Sequence, residues 1–235
     1  MDLIDRLAED PAQAGLFFDV DGVLAPIVAH PEDAAVPEET RAELRRLAKK
    51  YALVACVTGR ATEVAQHIVG VPELRIVGEH GLELDPRAAE WATRIHAFAE
   101  EITWHDLELK PLSAAFHYRR ADDREFARAE LEAVEREARV HGFKTRFGRL
   151  VLEVLPPIPV SKGTGVTVLL KEHGLNRALY AGDDTTDLDG FTALDKLDVA
   201  VRVAVVSVEG PSELAERADI VVGSTAAMLG LLKQL

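Results

Sequence analysis

GLFFDVDGVLAPI, residues 15–27, begins as an apolar run and breaks into two aspartates, Asp19 and Asp21, separated only by Val20. The segment Leu16–Val20 is short and rich in aromatic and branched side chains, so it reads as a buried strand. At strand spacing, residues i and i+2 share a side, which points Asp19 and Asp21 the same way and Val20 the other. Gly22 then allows a sharp turn and leaves an N–H open to a ligand. Two carboxylates at the end of a core strand are opposed by desolvation and by mutual repulsion, so the pattern needs a chemical reason. In open α/β sheets, ligands bind beyond the carboxyl ends of the strands. An ionised aspartate in that place can attack phosphorus and form an aspartyl-phosphate. Its neighbour can serve as general acid and then base if its pKa is lifted from about 3.9 to around 6 or 7, at a cost of about 3–4 kcal/mol of differential interaction.

Working outward, strand-like and helix-like segments alternate on both sides of the centre. Leu16–Val20, a helix over Glu38–Lys50, a strand over Leu53–Val57, a helix over Ala61–Val69 and a strand over Arg75–Val77 come first. A helix over Lys162–His173, strands over Ala178–Ala181, Val201–Val206 and Ile220–Val222, and a helix over Ala226–Leu232 close the chain. This alternation implies a largely parallel sheet covered on both faces. The middle differs. Ala88–Ile102, Leu107–Leu109, Ser113–Arg119, a helix near Asp122–Arg139, Lys144–Phe147 and Leu150–Leu155 give the order αββαββ, with a turn at Gly148. That order predicts a compact antiparallel sheet with helices on one side, and the proline-rich run Pro156–Pro159 leads back to the core.

With 235 residues, one domain plus an insert is expected. The net charge of −13 argues against nucleic acid and anionic membranes as partners. The single cysteine, Cys56, lies in an apolar strand and reads as a core residue. MDLIDRLAED carries acids where a secretory signal would be basic and then apolar, and no stretch approaches the ~18 apolar residues of a membrane span. A cytoplasmic location follows as the expectation, with the oligomeric state open and a monomer plausible.

Three further stretches carry chemistry. In ALYAGDDTTDLDGF, a short strand ends in Gly182 and then Asp183, Asp184 and Asp187, hard oxygen donors that suit Mg²⁺. An EF-hand register fails there, because Lys196 falls where the bidentate glutamate belongs. In VTGR, Thr58 offers a hydroxyl and Gly59 an unhindered N–H just before a helix start, an arrangement that can hold phosphate oxygens. In SKGTG, Lys162 opens a helix where the dipole disfavours a cation, so an anion nearby would account for it. A nucleophile, an acid/base, phosphate donors, a cation and a metal site together form the equipment of phosphoryl transfer.

DVDGVL, the strand-ending Thr58, Lys162 and GDDTTD, in this order, resemble the four motifs of the haloacid dehalogenase superfamily in its phosphatase branch. More locally, DGVLAPI, PEDAAVPEETRAELRRLA, VTGR, GEHGLEL, LELKPLSAAFHYR, VLEVLPPIPVSKG and GDDTTDLDGF look like the trehalose-6-phosphate phosphatase family. The resemblance implies a Rossmannoid HAD-like α/β core, residues 1–84 and 159–235, with an inserted α+β cap of the αββαββ C2B type at 85–158. It implies a Mg²⁺-dependent phosphatase that hydrolyses trehalose 6-phosphate, with cap closure excluding water.

Residue by residue, the same resemblance makes Asp19 the nucleophile and Asp21 the acid/base. Thr58 and Lys162 grip the phosphoryl group, with Gly22, Gly59 and Arg60 beside it. Mg²⁺ falls to Asp19, the Asp21 carbonyl and Asp183, with Asp184 and Asp187 orienting its waters and Lys162. Glu108, Lys110, Arg119 and Glu153 face sugar hydroxyls, with His80 and Gly81 near the cleft. Val23, Thr58 and Leu155 depart from the family's common threonine, serine and arginine. Competing expectations are a phosphatase of another sugar phosphate (mannosyl-3-phosphoglycerate or sucrose phosphate), a phosphomutase of the superfamily, and a catalytically silent sugar-phosphate-binding module.

Overall fold

The computed structural model describes residues 2–28, 30–148, 150–207 and 210–235. In chain order the elements are α1 (Leu3–Ala8), β1 (Ala14–Phe18), α2 (Glu38–Lys50), β2 (Leu53–Val57), α3 (Thr62–Val69), β3 (Arg75–Val77), α4 (Ala88–Glu100), β4 (Leu107–Leu109), β5 (Ala114–His117), α5 (Arg124–Val140), β6 (Lys144–Gly148), β7 (Val151–Leu155), α6 (Lys162–Glu172), β8 (Arg177–Gly182), α7 (Asp187–Ala193), β9 (Val199–Val205), α8 (Ser212–Arg217), β10 (Ile220–Val222) and α9 (Thr225–Leu232). The chain divides into two compact units, Met1–Gly81 with Val160–Leu235, and Leu82–Pro159.

The first unit is built on a six-stranded sheet in the order β10-β9-β8-β1-β2-β3. Every pairing in it is parallel. All five residues of β1 and of β2 are buried, as expected for strands covered on both faces. From β1 the chain builds outward through β2 and β3, then returns to β8 on the other side of β1. That reversal makes a switch point at the carboxyl ends of β1 and β8, where such sheets open a crevice. Cys56 sits fully buried beside Phe18 and Ile76, and burial pushes its thiol well above the usual range. Helix α2 shows why these segments are helical. Thr40, Leu44 and Leu47 are buried along one stripe, acids open its first turn and lysines close its last.

The expected strand Leu16–Val20 lies two residues too late. β1 ends at Phe18, and after Asp19 donates its N–H to the Ala181 carbonyl (2.9 Å) the backbone folds on itself. Leu24 and Ala25 both donate to the Val20 carbonyl, and Gly22 donates to the Ala25 carbonyl at 2.8 Å. Val20 is fully buried although it lies in the turn, so burial alone mimicked a strand. Helices α1 and α8, six residues each, were not expected; they are too short to show a helical period.

The second unit carries the order expected of it. Its sheet runs β4-β5-β7-β6, antiparallel throughout. Ile95, Phe98 and Ala99 of α4 and Ala127, Leu131 and Ala138 of α5 form one core with Ala114, Phe116, Leu152 and Val154 of the sheet. Gly148 closes β6 instead of making the turn, and Leu150 takes the left-handed conformation at φ 59°.

Candidate active site

In the first unit, Asp19, Lys162, Asp183 and Asp187 meet beyond the ends of β1 and β8. Asp19 is 6% exposed. Its Oδ1 accepts the Val20 N–H at 2.7 Å and its Oδ2 lies 2.8 Å from Lys162 Nζ. Lys162, at the first position of α6, donates as well to Asp187 Oδ1 at 2.7 Å. Burial works against the ammonium, but Asp187 and Asp19 outweigh it and hold Lys162 charged, above the usual lysine range. The cation that the helix dipole disfavours is therefore explained by two carboxylates.

Asp187 is fully buried and saturated. Oδ1 accepts from Lys162 and from Tyr180 Oη, each at 2.7 Å, and Oδ2 accepts the N–H groups of Asp183 and Asp184, each at 3.0 Å. Four donors on two oxygens occupy the carboxylate's in-plane acceptor positions. Its role is to shape the 182–187 loop and orient Lys162. Burial pushes Tyr180 well above the usual tyrosine range, so it remains a donor.

Asp19, Asp183 and Asp187 each bring a carboxylate oxygen within 4.8 Å of the others. Desolvation raises Asp19 to about 7 against the pull of Lys162, and desolvation followed by the Asp19 charge raises Asp183 to about 8. Gly22, at φ 79°, packs so tightly against this group that a Cβ would stand 2.2 Å from Asp183 Oδ2. The expected sharp turn is there, but the open N–H is not: the Ala25 carbonyl takes it, because the turn closes as a bridge between Asp21 and Ala25.

Asp21 does not share Asp19's surroundings. Both its oxygens engage Arg60, Oδ2 with Nε at 2.7 Å and Oδ1 with Nη2 at 2.8 Å. Arg60 Nη1 also reaches the Pro31 carbonyl at 3.0 Å. Asp184 lies outside the close group, with Oδ1 accepting from the N–H (2.7 Å) and the hydroxyl (3.0 Å) of Thr185.

Thr58 is 1% exposed, and its Oγ1 accepts the Arg60 N–H at 3.2 Å, which leaves the hydroxyl proton to be donated. The loop holding it is braced by the 79–81 turn. Glu79, His80 and Gly81 have φ of 44°, 56° and 94° in succession. Glu79 and His80 donate N–H groups to the carbonyls of Arg60 (2.9 Å) and Thr58 (2.8 Å). Left-handed geometry costs about 1–2 kcal/mol at each non-glycine residue, so these bonds hold a turn that would not form alone. Gly59 is required because a Cβ there would meet the His80 ring at 2.5 Å.

In the second unit, Glu153 of β7 is 8% exposed between two cations, with Lys110 Nζ 3.2 Å from Oε1 and Arg146 Nε 3.0 Å from Oε2. Glu108 of β4 meets His117 Nε2 at 2.9 Å. Arg119 lies in the turn after β5, its carbonyl accepting from Arg124 Nε at 3.2 Å. Tyr180, His117 and Arg146 were not anticipated. Alternation in Lys144–Gly148, with Phe147 turned to the core, was the signal that could have exposed Arg146.

The family model described as trehalose-phosphatase matches residues 17–221. A probable trehalose-phosphate phosphatase from Sinorhizobium fredii is 30% identical over 253 residues, covering 100% of this chain and 92% of its own. Other curated relatives are longer, and the chain spans only 62% and 58% of the first of them. The C-terminal domain of the C. albicans trehalose-6-phosphate phosphatase superposes with a TM-score of 0.76 at 21% identity, over 98% of this chain and 94% of that one. A haloacid dehalogenase-like hydrolase from Bacteroides thetaiotaomicron shares the fold, with a TM-score of 0.64 at 16% identity over 94% and 98% of the two chains. The HAD-like α/β architecture with its inserted antiparallel unit is thus a shared fold, and the chain belongs to the trehalose-phosphatase family.

Proposed function

We propose that this chain is a Mg²⁺-dependent phosphatase that hydrolyses trehalose 6-phosphate to trehalose and phosphate. The observation that carries the reading is charge balance at the end of β1 and β8. With all three carboxylates ionised (−3), the one ammonium (+1) leaves −2 among these oxygen donors, a charge that burial resists unless protons or a cation offset it. A divalent cation balances that deficit, and hard oxygens in this number suit Mg²⁺. Asp19, the Asp21 carbonyl and Asp183 would hold it, where it would neutralise charge on the phosphoryl oxygens. Asp184 stays on the periphery of that set.

The chain's own residues supply the rest. Asp19, fixed by the Val20 N–H and Lys162, attacks phosphorus, and the bond from phosphorus to the sugar oxygen breaks. Asp21, with one oxygen released from Arg60 to carry a proton, gives that proton to the departing oxygen, then takes one from the water that cleaves the aspartyl-phosphate, which releases phosphate and restores Asp19. Thr58 donates its hydroxyl to a phosphoryl oxygen, and Lys162 offers the donor not spent on Asp19 and Asp187. Arg60 keeps Asp21 in place. Glu153, Lys110 and Glu108 would take sugar hydroxyls.

Phosphate release from a panel of sugar phosphates, with Mg²⁺ and with EDTA, tests the reading. Trehalose 6-phosphate is expected to lead the panel, with turnover lost in EDTA and lost by at least about a thousandfold in Asp19→Asn. A preference for mannosyl-3-phosphoglycerate or sucrose phosphate would replace the substrate. Full turnover by Asp19→Asn would remove the nucleophile and with it the mechanism.

A further inference from the structure

Tyr180 sits within β8 between Phe17 of β1 and Arg202 of β9, and its packing does not call for a hydroxyl. The side chain is fully buried. Phe191 stands edge-on to its ring, with centroids 6.1 Å apart and planes at 85°. Gly190 lies so close that a Cβ there would meet Tyr180 Cζ at 2.4 Å. Phenylalanine would fill that slot with no polar atom to desolvate. What the hydroxyl adds is one bond, 2.7 Å to Asp187 Oδ1, the same oxygen that Lys162 Nζ meets at 2.7 Å.

Sharing that oxygen matters for what Lys162 has left to give. An ammonium carries three donors in a tetrahedral array. One points to Asp19 Oδ2 at 2.8 Å and one to Asp187 Oδ1, so the direction of the third follows from where those two oxygens lie. The Val20 N–H holds the Asp19 carboxylate, at 2.7 Å from Oδ1. Tyr180 does the same for Asp187. A carboxylate oxygen has two in-plane acceptor positions, and on Oδ1 the hydroxyl fills the one that the ammonium does not.

The backbone around this triangle has no slack. A Cβ on Gly163, next to Lys162 in α6, would stand 2.2 Å from the Asp189 carbonyl oxygen of α7. The helices that carry Lys162 and Asp187 are therefore locked together, and only their side-chain ends can adjust. With the hydroxyl gone, an acceptor position on a fully buried oxygen stands vacant. Lys162, already bound to that oxygen, can turn onto the vacancy and away from Asp19.

Resting on the phosphatase reading of this site, we propose that Tyr180 is a positioning residue for phosphoryl transfer. By filling the second acceptor position of Asp187 Oδ1, its hydroxyl keeps Lys162 between Asp187 and Asp19, with the third N–H directed at the phosphoryl group.

The test is steady-state kinetics of wild type and Tyr180→Phe on trehalose 6-phosphate and on p-nitrophenyl phosphate, with orthovanadate inhibition and a Mg²⁺ titration of each protein. Tyr180→Phe is expected to lower kcat by about 10- to 100-fold on both substrates, the range of a hydrogen bond to a charged group, with KM near the wild-type value. Orthovanadate, whose five-coordinate form resembles phosphorus under attack, is expected to inhibit more weakly by a similar factor. The Mg²⁺ concentration for half-activation is expected to hold, because the bonds from the Asp183 and Asp184 N–H groups to Asp187 Oδ2 are untouched. Half-activation that weakens along with kcat would make Tyr180 merely a brace of the 182–187 loop and overturn the proposal, as would a lower kcat with unchanged vanadate inhibition. An active wild type beside an unaffected Tyr180→Phe sinks this inference alone. A wild type active only on p-nitrophenyl phosphate sinks the trehalose 6-phosphate substrate, and the inference is then decided on p-nitrophenyl phosphate. A wild type inactive on both sinks the phosphatase reading, and this inference with it.

Discussion

Two buried aspartates 168 positions apart, Asp19 and Asp187, share one lysine and still differ in what they do. Asp187 is saturated by Lys162, Tyr180 and two backbone N–H groups, so Asp187→Asn keeps one accepting oxygen and sets an NH₂ group against the two donors on the other side. The expected cost is about 3–5 kcal/mol, read from urea unfolding, because a buried cation loses a partner and the 182–187 loop loses its brace. Asp19 sits instead in a group with too much negative charge. Asp19→Asn removes one of those charges while Lys162 keeps Asp187, so metal-free stability at pH 8 is expected to hold or rise even as turnover disappears. Should both substitutions destabilise alike, the division between brace and nucleophile fails. The bracing role could not be read from the string GDDTTD, where Asp184 and Asp187 look equivalent. Only the meeting with Lys162 and Tyr180 separates them, and both of those lie outside the motif.

At the scale of elements, periodicity and punctuation carried most of the fold. Glu38–Lys50, Leu53–Val57, Arg75–Val77, Leu107–Leu109 and Ile220–Val222 fall where their patterns place them, because each is a clean apolar run or stripe between turn residues. The acidic, threonine and lysine positions were likewise legible, since each follows or leads a strand–helix junction. What could not be read were pairings across elements: Arg60 with Asp21, Arg146 with Glu153, Glu108 with His117. Charged residues on a wet strand face look alike until register names their partners. The turn after β1 shows the same limit, since the donor expected from Gly22 is spent inside the turn. What Gly22 contributes is the absence of a side chain. Gly22→Ala puts a Cβ 2.2 Å from Asp183 Oδ2 at φ 79°. An expected stability loss of about 2 kcal/mol or more, with weaker Mg²⁺ activation in a metal titration, follows from displacing that carboxylate. Wild-type Mg²⁺ activation in this variant would mean that Asp183 tolerates the shift and is not a ligand held in place by the turn.

For the molecule as a whole, the proton inventory predicts how stability responds to pH and to metal. Asp19 and Asp183 stand at about 7 and about 8 in the folded chain against an ordinary value of 3.8, chiefly because burial disfavours their charged forms. The native state therefore keeps protons that the unfolded chain releases, and stability falls with pH wherever the folded form binds more protons. The contribution is complete below about pH 4, declines through neutral pH as both groups are forced to ionise, and is lost above about pH 8. Mg²⁺ acts in the opposite sense. It takes the ionised carboxylates, competes with protons and stabilises only the folded chain. Thermal unfolding in EDTA should thus show Tm falling from pH 5 to pH 8. Added Mg²⁺ should raise Tm little at pH 5 and most at pH 8, so that the two curves diverge as pH rises. Calcium or magnesium bound at surface acids would give a shift nearly independent of pH across this window, because exposed carboxylates are ionised throughout it. Curves that stay parallel would therefore place the metal elsewhere than the Asp19–Asp183 group. Asp183→Asn separates the last alternative: it should make the EDTA curve shallower, leaving the part that Asp19 contributes, and weaken the Mg²⁺ shift in the same variant, since Asp183 carries both an excess proton and a ligand oxygen.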